Sequence, residues 1–249
     1  AWRDILVRYK QTTIGVLWAV IRPLLTLLVM AFVGWLFGSE VPGQVPRLIL
    51  VGAATLPWTF FSSAFSDAAN SLVVNSNLLT KVYFPRLVVP VSAVIVCLID
   101  LLISFIILLV LMFVYRFVPD QRILLLPLFI GLALMTALGA GLLIAALNVK
   151  YRDFRYIIPF IVQFGLYVSP VAFASSDVLT HPRIPEFVKV LYTLNPVVGV
   201  IDGFRWCLLG GQVDLYLPGF LTSVGISVVL LIVGIRYFRN TERSFADVI

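Results

Sequence analysis

The chain has 249 residues, of which 61% are hydrophobic and 12% are charged, and its mean hydropathy is +1.07. Water-soluble domains carry about 25% charged residues, so this composition excludes an ordinary soluble protein and indicates an integral membrane protein. The net charge of +6 does not indicate nucleic-acid binding, because the basic residues form short clusters between apolar runs, as membrane-edge loops do.

The first 13 residues carry an apolar stripe at helical spacing. Trp2, Ile5, Leu6 and Tyr9 follow one another at i, i+3, i+4 and i+7, and the charged residues lie mostly off that face. The pattern predicts an interfacial helix over 1–13 that lies on membrane lipids. A frayed polar N-terminus is the alternative.

Six apolar runs predict an all-α membrane fold with six spans in a single domain, residues 1–249. A spanning helix needs about 20 apolar residues. The first run is short because Arg22 and Pro23 interrupt it; Arg22 can reach the membrane edge and Pro23 predicts a kink. The predicted spans cover roughly 23–37, 48–69, 87–114, 123–147, 156–174 and 218–235.

The distribution of basic residues predicts the orientation. With the N-terminus inside, the four inner segments hold twelve lysines and arginines and the three outer segments hold six, over 61 residues in each set. Such an excess marks the cytoplasmic side. Both termini are therefore expected in the cytoplasm.

The inner connection 70–86 is longer than a tight turn requires. Ser76 or Asn77 can cap a short helix that Pro85 ends. Such a helix could be a handle for a soluble partner, and an ordinary amphipathic loop is the alternative.

On the outer side, 185–210 predicts two half-helices that are broken at Asn195-Pro196 and too short to span. We interpret them as interfacial or re-entrant. Asp202 and Arg205 lie three residues apart there and could form an ion pair.

Small residues recur every fourth position in the fourth span, at Ala133, Ala137, Gly141 and Ala145. Such a stripe lets another helix approach closely. It predicts tight packing and says nothing about a substrate.

The sequence offers little catalytic or metal chemistry. It has no P-loop, because none of its four lysines follows a glycine. No acid, base and nucleophile set and no metal-ligand spacing is evident, and His181 is interpreted as a solvated loop residue. We therefore expect a protein that is not an enzyme and that binds no metal or cofactor itself.

Asp100 lies near the middle of the third span, where a carboxylate is a functional candidate. It could serve ion coupling. It could equally be protonated or hydrogen-bonded to a neighbouring helix. Asp67, near the inner end of the second span, could pair with Arg22.

Aromatic residues are the abundant chemical feature. Tyr156, Phe160, Phe164 and Tyr167 are spaced 4, 4 and 3 and so form one stripe. Aromatic rings offer a flat face with few rotatable bonds, which can stack on sugar rings. The spacing alone favours the alternative, in which the rings contact lipid or pack helices.

Four sequence blocks resemble polysaccharide-exporting ABC transporter permeases of the O-antigen and teichoic-acid type. The blocks are RDILVRYKQTTIGVLWAVIRPLL, NSNLLTKVYFPRLVVPVSAV, LNVKYRDFRYIIPFIVQFGLYVSPV and LNPVVGVIDGFRWCLLG, at 3–25, 75–94, 147–171 and 194–210. They are spread along nearly the whole chain. They are specific for the family and much less specific for the substrate.

The resemblance implies a type-2 ABC exporter architecture in the bacterial inner membrane. The permease would be a homodimer that binds two copies of an ATP-binding subunit, and that subunit would hold the ATP and Mg. The substrate would be a lipid-linked polysaccharide, and the outer half-helices would shape its exit.

The resemblance also implies roles for particular residues. The coupling helix that enters the ATPase would involve Leu78, Lys81, Tyr83, Phe84 and Arg86. The substrate channel would be lined by Phe32, Trp35, Trp58, Phe60, Phe61, Tyr156, Phe160, Phe164 and Tyr167, which favours the sugar-contact interpretation of the stripe. The cytoplasmic gate would involve Arg8, Arg22, Arg152 and Asp153.

Three other functions compete with this one. A small-molecule exporter of the same fold usually has a larger outer domain, which these outer segments are too short to form. A membrane enzyme acting on lipid-linked sugars would need a catalytic set that the sequence lacks. An ion-coupled flippase would depend on Asp100.

Overall fold

A computed structural model describes residues 15–36, 45–76, 84–151, 153–210 and 212–242, without the side chains of 15–19 and Arg22. These residues form helices and connections, with no strand among them. A 3-10 turn, Gln121–Leu125, leads directly into the helix Leu126–Lys150. The helices are α1 Gly15–Leu36, α2 Arg47–Val74, α3 Val88–Val114, α4 Leu126–Lys150, α5 Phe154–Val168, α6 Ser175–Thr180, α7 Glu186–Thr193, α8 Pro196–Leu208 and α9 Leu217–Thr241.

Four helices of the described chain are long and apolar enough to cross a membrane: α2, α3, α4 with its preceding turn, and α9. The α7–α8 pair, which bends by 74°, adds a fifth if it counts as one span. The apolar part of α1, Pro23–Leu36, and α5 are shorter. The prediction of six spans is therefore not confirmed.

Helix α5 ends at Val168, six residues before the end predicted for the fifth span. Ser169 is extended, with φ −91° and ψ 150°, as expected of a residue that precedes a proline. Fifteen residues give a helix of about 22 Å, which is shorter than the hydrocarbon core of about 30 Å.

Helix α2 lies at the centre of the molecule. It is buried on nearly all sides and contacts α1, α3, α4, α5 and α8. Ala53, Ala54, Ala64 and Ala68 are completely buried, and their small side chains let neighbouring helices approach closely.

The small-residue stripe of α4 packs tightly, as predicted. Ala133, Ala137, Gly141 and Ala145 are all buried. A Cβ added at Gly141 would lie 2.7 Å from the Cβ of Ala68 in α2.

A second close seam joins α4 to α9. A Cβ added at Gly139 would lie 2.6 Å from the backbone nitrogen of Leu231, and Gly234 abuts the carbonyl of Gly139. Thr136 Oγ1 and Ser227 Oγ share a hydrogen bond of 2.7 Å across the same seam. The backbones of α4 and α9 are therefore in direct contact.

Candidate transport surface and coupling end

Helix α5 has one buried and one exposed face. Ile158 is buried in the protein core, and Val162 and Leu166 pack against that core. The stripe faces outward, and its ring centroids at Phe160 and Phe164 are 4.2 Å apart. Its exposed fractions are 82% for Tyr156, 57% for Phe160, 55% for Phe164 and 69% for Tyr167. The prediction that these four residues share one face is confirmed, and their contact with a substrate stays a prediction.

The predicted aromatics of α1 are also exposed. Phe32 and Trp35 are 59% and 64% exposed, and their ring centroids are 5.9 Å apart. In a protein that spans a membrane, such a surface must contact lipid, another subunit or a transported molecule.

The predicted aromatics of α2 lie inside the protomer. Trp58, Phe60 and Phe61 are at most 8% exposed. The Trp58 indole fills the space beside Gly165 of α5, where an added Cβ would lie 2.6 Å from the ring. A side chain at this glycine would push α5 away from α2. In a single protomer, the α2 aromatics therefore support α5 on the side opposite its exposed aromatic stripe. Their role in a channel stays a prediction.

Gln163 is a residue that the sequence interpretation missed. It is exposed on α5, next in sequence to Phe164 of the stripe. Its amide can donate and accept hydrogen bonds. The signal in the sequence is a single amide that interrupts the aromatic and apolar residues of this helix.

Arg205 organises a buried polar network at the predicted outer end. Its guanidinium is completely enclosed and donates from Nη1 to the carbonyl of Phe173 at 2.7 Å and from Nη2 to that of Val171 at 3.2 Å. These two carbonyls belong to the connection between α5 and α6. Arg205 therefore fixes the chain that follows the stripe helix.

Asp202 and Arg205 do not form the direct salt bridge that their spacing allowed. The guanidinium is instead hydrogen-bonded to backbone carbonyls. Asp202 Oδ1 accepts a hydrogen bond from Ser175 Oγ at 2.8 Å, and Ser175 Oγ lies 2.9 Å from the hydroxyl of Tyr192. The network thus joins α6, α7 and α8.

The break at Asn195-Pro196 is confirmed. Asn195 caps α8 by accepting a hydrogen bond from the backbone N–H of Val197 at 3.1 Å, and its amide donates to Ser169 Oγ at 3.2 Å. Asparagine is a preferred cap, and proline suits the first helical turn. The α7–α8 hairpin and the end of α5 are therefore linked by several side chains.

At the opposite end of the bundle, residues 84–87, which end the predicted coupling segment, pack against the membrane helices. Phe84 and Leu87 pack against buried residues from four parts of the chain, which we call the coupling-end cluster. The cluster consists of Leu72, Val89, Leu142, Ala145, Ala146, Val149 and Phe238. Phe84 is thus half-buried against the protein itself, and its contact with an ATPase stays a prediction.

Several predicted residues lie outside the described part. These are Leu78, Lys81 and Tyr83 of the coupling helix, the gate residues Arg8 and Arg152, the interfacial helix 1–13 and the side chain of Arg22. Asp153 is exposed and immediately precedes α5. Arg86 is described and hydrogen-bonds to Glu242 at the end of α9.

The intramembrane carboxylates have partners. Asp67 Oδ2 accepts a hydrogen bond from the Cys97 thiol at 3.4 Å. Asp100 is half-buried on α3 and interacts with at least one other group of the protein. The proposed pairing of Asp67 with Arg22 involves a side chain outside the described part.

Several long apolar helices, packed through small residues around buried polar groups, define a multi-pass membrane protein. Residues 1–209 match the family model described as ABC-2 type transporter, and the chain belongs to that family.

The chain is similar over nearly its whole length to bacterial transport proteins. It is 27% identical to an O-antigen export system permease protein RfbA of Klebsiella pneumoniae, with 99% of this chain and 92% of the relative covered. The corresponding RfbA protein of Myxococcus xanthus is 26% identical, with 98% and 92% covered. The polysialic acid transport protein KpsM of Escherichia coli is 23% identical, with 97% and 92% covered.

Proposed function

We propose that this protein is the membrane subunit of an ATP-driven exporter that moves a lipid-linked polysaccharide outward across the bacterial inner membrane. The observation that carries the proposal is the near full-length similarity to an O-antigen export permease. The exposed aromatic face of α5 is the surface we assign to the substrate. Two copies of the chain would enclose the path, with both termini in the cytoplasm.

Energy would come from a separate subunit. The sequence has no P-loop, so ATP and Mg would be bound by two copies of an ATP-binding subunit. These would dock at the end of the bundle that contains the coupling-end cluster and residues 84–87. This chain would supply the path and the response to the ATPase.

The chemistry of α5 suits a sliding polymer. Aromatic faces contact the C–H faces of sugar rings through dispersion, and we take for each such contact the value of about 0.5–1.5 kcal/mol that a pair of aromatic rings contributes beyond its buried area. A contact of that size holds a sugar without trapping it. Gln163 would add one hydrogen bond to hydroxyl groups, and Trp58 behind Gly165 would keep the aromatic face in place.

The test compares exposed phenylalanines that we assign to the substrate with an exposed phenylalanine that we do not. Phe160→Ala with Phe164→Ala removes two rings from the stripe. Phe113→Ala removes an 85% exposed ring from the end of α3, a helix that carries none of the aromatic residues assigned to the substrate. Each variant is expressed with its ATP-binding subunit, and the polysaccharide that reaches the cell surface is measured beside the level of permease in the membrane.

We expect the double stripe variant to lower export about tenfold, because two lost contacts together weaken substrate binding by about 1–3 kcal/mol. Phe113→Ala should leave export unchanged. Normal export by the double variant at normal membrane level would exclude the stripe as the substrate surface. Normal accumulation of surface polysaccharide in cells that lack the permease would exclude the proposed function itself.

A further inference from the structure

Arg86, which follows the predicted coupling helix, is hydrogen-bonded to Glu242 at the end of α9. The backbone N–H of Arg86 donates a hydrogen bond to Glu242 Oε1 at 3.2 Å. The Arg86 guanidinium donates from Nη1 to the backbone carbonyl of Glu242. The two residues are 156 positions apart in sequence, so the contact exists only in the folded protein.

The two hydrogen bonds lie beside the start of α3 and at the end of α9. Arg86 directly precedes Leu87, the N-cap of α3, and Glu242 is the C-cap of α9. The first N–H groups and the last carbonyls of a helix have no partner within the helix. A carboxylate is favourable at a helix N-terminus and a cation at a C-terminus. The Arg86 guanidinium therefore caps the end of α9, and the Glu242 carboxylate holds the residue that precedes α3, near the N-terminus of that helix.

Apolar packing reinforces the same junction. Phe238 of α9 is completely buried in the coupling-end cluster, and Phe84 and Leu87 pack on that cluster from the coupling segment. The hydrogen bonds between Arg86 and Glu242 therefore lie beside apolar contacts between the same two parts of the chain. A force on residues 84–87 would act on α9 through both kinds of contact.

Helix α9 connects this junction with the opposite end of the bundle. Near its start, Ser223 Oγ accepts a hydrogen bond from the backbone N–H of Gly199 in α8 at 3.2 Å. Thr222 Oγ1 donates to the carbonyl of Thr193 at the end of α7, also at 3.2 Å. One continuous helix thus contacts the coupling segment at one end and the α7–α8 hairpin at the other.

We propose that Glu242 is a positioning residue that holds residues 84–87, the end of the coupling segment, against α9. Movement that an ATP-binding subunit imposes on these residues is then passed to α9 and to the outer α7–α8 hairpin. The proposal rests on the proposed function for the origin of that movement. The contact between Arg86 and Glu242 holds independently of it. Glu242 does not touch the substrate; it acts through Arg86.

The first experiment needs no partner subunit. Spin labels are placed at Val88 and Asn240, which are exposed on α3 and α9 beside the junction. The native Cys97 and Cys207 are buried, so the folded protein is labelled at the introduced cysteines. The distance distribution is measured by pulsed EPR in lipid nanodiscs.

Glu242→Ala should broaden this distance distribution, whereas Glu242→Gln should keep it narrow because the amide oxygen still accepts from the Arg86 N–H. Glu186→Ala is the matched control, since Glu186 forms an exposed ion pair with Lys189 at the opposite end of the bundle. An unchanged distribution in Glu242→Ala would overturn the proposal. Should Glu242→Ala fail to fold, Glu242→Asp withdraws the carboxylate and should broaden the distribution in the same way.

The second experiment measures coupling with the ATP-binding subunit present. Glu242→Ala should bind the subunit and hydrolyse ATP, but export per ATP should fall about fivefold, the effect of losing one hydrogen bond of about 1 kcal/mol. Glu242→Gln should restore export, which a general loss of stability would not explain. Unchanged export per ATP in Glu242→Ala would overturn the proposal. If the wild-type pair exports no polysaccharide, the proposed function fails, while the EPR result still decides whether the junction holds.

Discussion

Replacement of Gly139 by alanine tests a direct contact between the backbones of two helices. The added Cβ would lie 2.6 Å from the backbone nitrogen of Leu231, 2.7 Å from the carbonyl carbon of Leu230 and 2.9 Å from the Cα of Leu231. These are backbone atoms, so no side-chain rotation relieves the contact. Carbon atoms pack best at about 3.5–4.0 Å. Helices α4 and α9 must therefore move apart by about 1 Å.

The free energy of unfolding should fall by about 2 kcal/mol. Overpacking of a core costs about 1–3 kcal/mol, and separation of the helices weakens the hydrogen bond between Thr136 and Ser227, which contributes about 0.5–1.5 kcal/mol. The greater helix propensity of alanine offsets about 1 kcal/mol of this loss.

Two glycines of the same helices are matched controls. A Cβ added at Gly131 of α4 or Gly225 of α9 would meet no atom within 4 Å. Each replacement by alanine should therefore raise stability by up to about 1 kcal/mol. Unfolding would be followed by SDS titration in mixed micelles for all three variants. If Gly139→Ala were as stable as Gly131→Ala, the direct contact between α4 and α9 would be refuted.

Three further predictions concern single side chains. Arg205→Met should lower stability by about 2–6 kcal/mol, because it leaves the carbonyls of Val171 and Phe173 without their donor, at about 1–3 kcal/mol for each unsatisfied group; thermal unfolding would detect it, and a wild-type melting temperature would contradict the network. Asp100→Asn should leave export intact, and abolished export at a normal membrane level would support ion coupling instead. Phe84→Ala should reduce ATPase coupling, because Phe84 supports the exit of the coupling segment; coupling is measured as ATP hydrolysed per polymer exported, and an unchanged ratio would exclude this role.

Features with a short sequence range were predictable. Hydrophobicity alone determined that the chain is helical and spans a membrane, because unpaired backbone groups are not tolerated in lipid. Helical periodicity placed the stripe from Tyr156 to Tyr167 on one face and the small residues of α4 on another. The asparagine and proline at 195–196 determined the break between α7 and α8, since the Asn195 side chain caps α8 and Pro196 suits its first turn, and both effects are local in sequence.

Features that depend on distant partners were decided by the tertiary structure. Residues 58, 60 and 61 are as aromatic as the stripe, yet they are buried because α2 is surrounded by other helices and Gly165 leaves room for an indole ring. Arg205 bonds to carbonyls some thirty residues earlier instead of the carboxylate one turn away, since the connection after α5 folds over it. The contact of Arg86 with Glu242 brings together two helix ends that no local pattern relates. Local patterns are set by the geometry of one helix, whereas partners are set by which helices pack together.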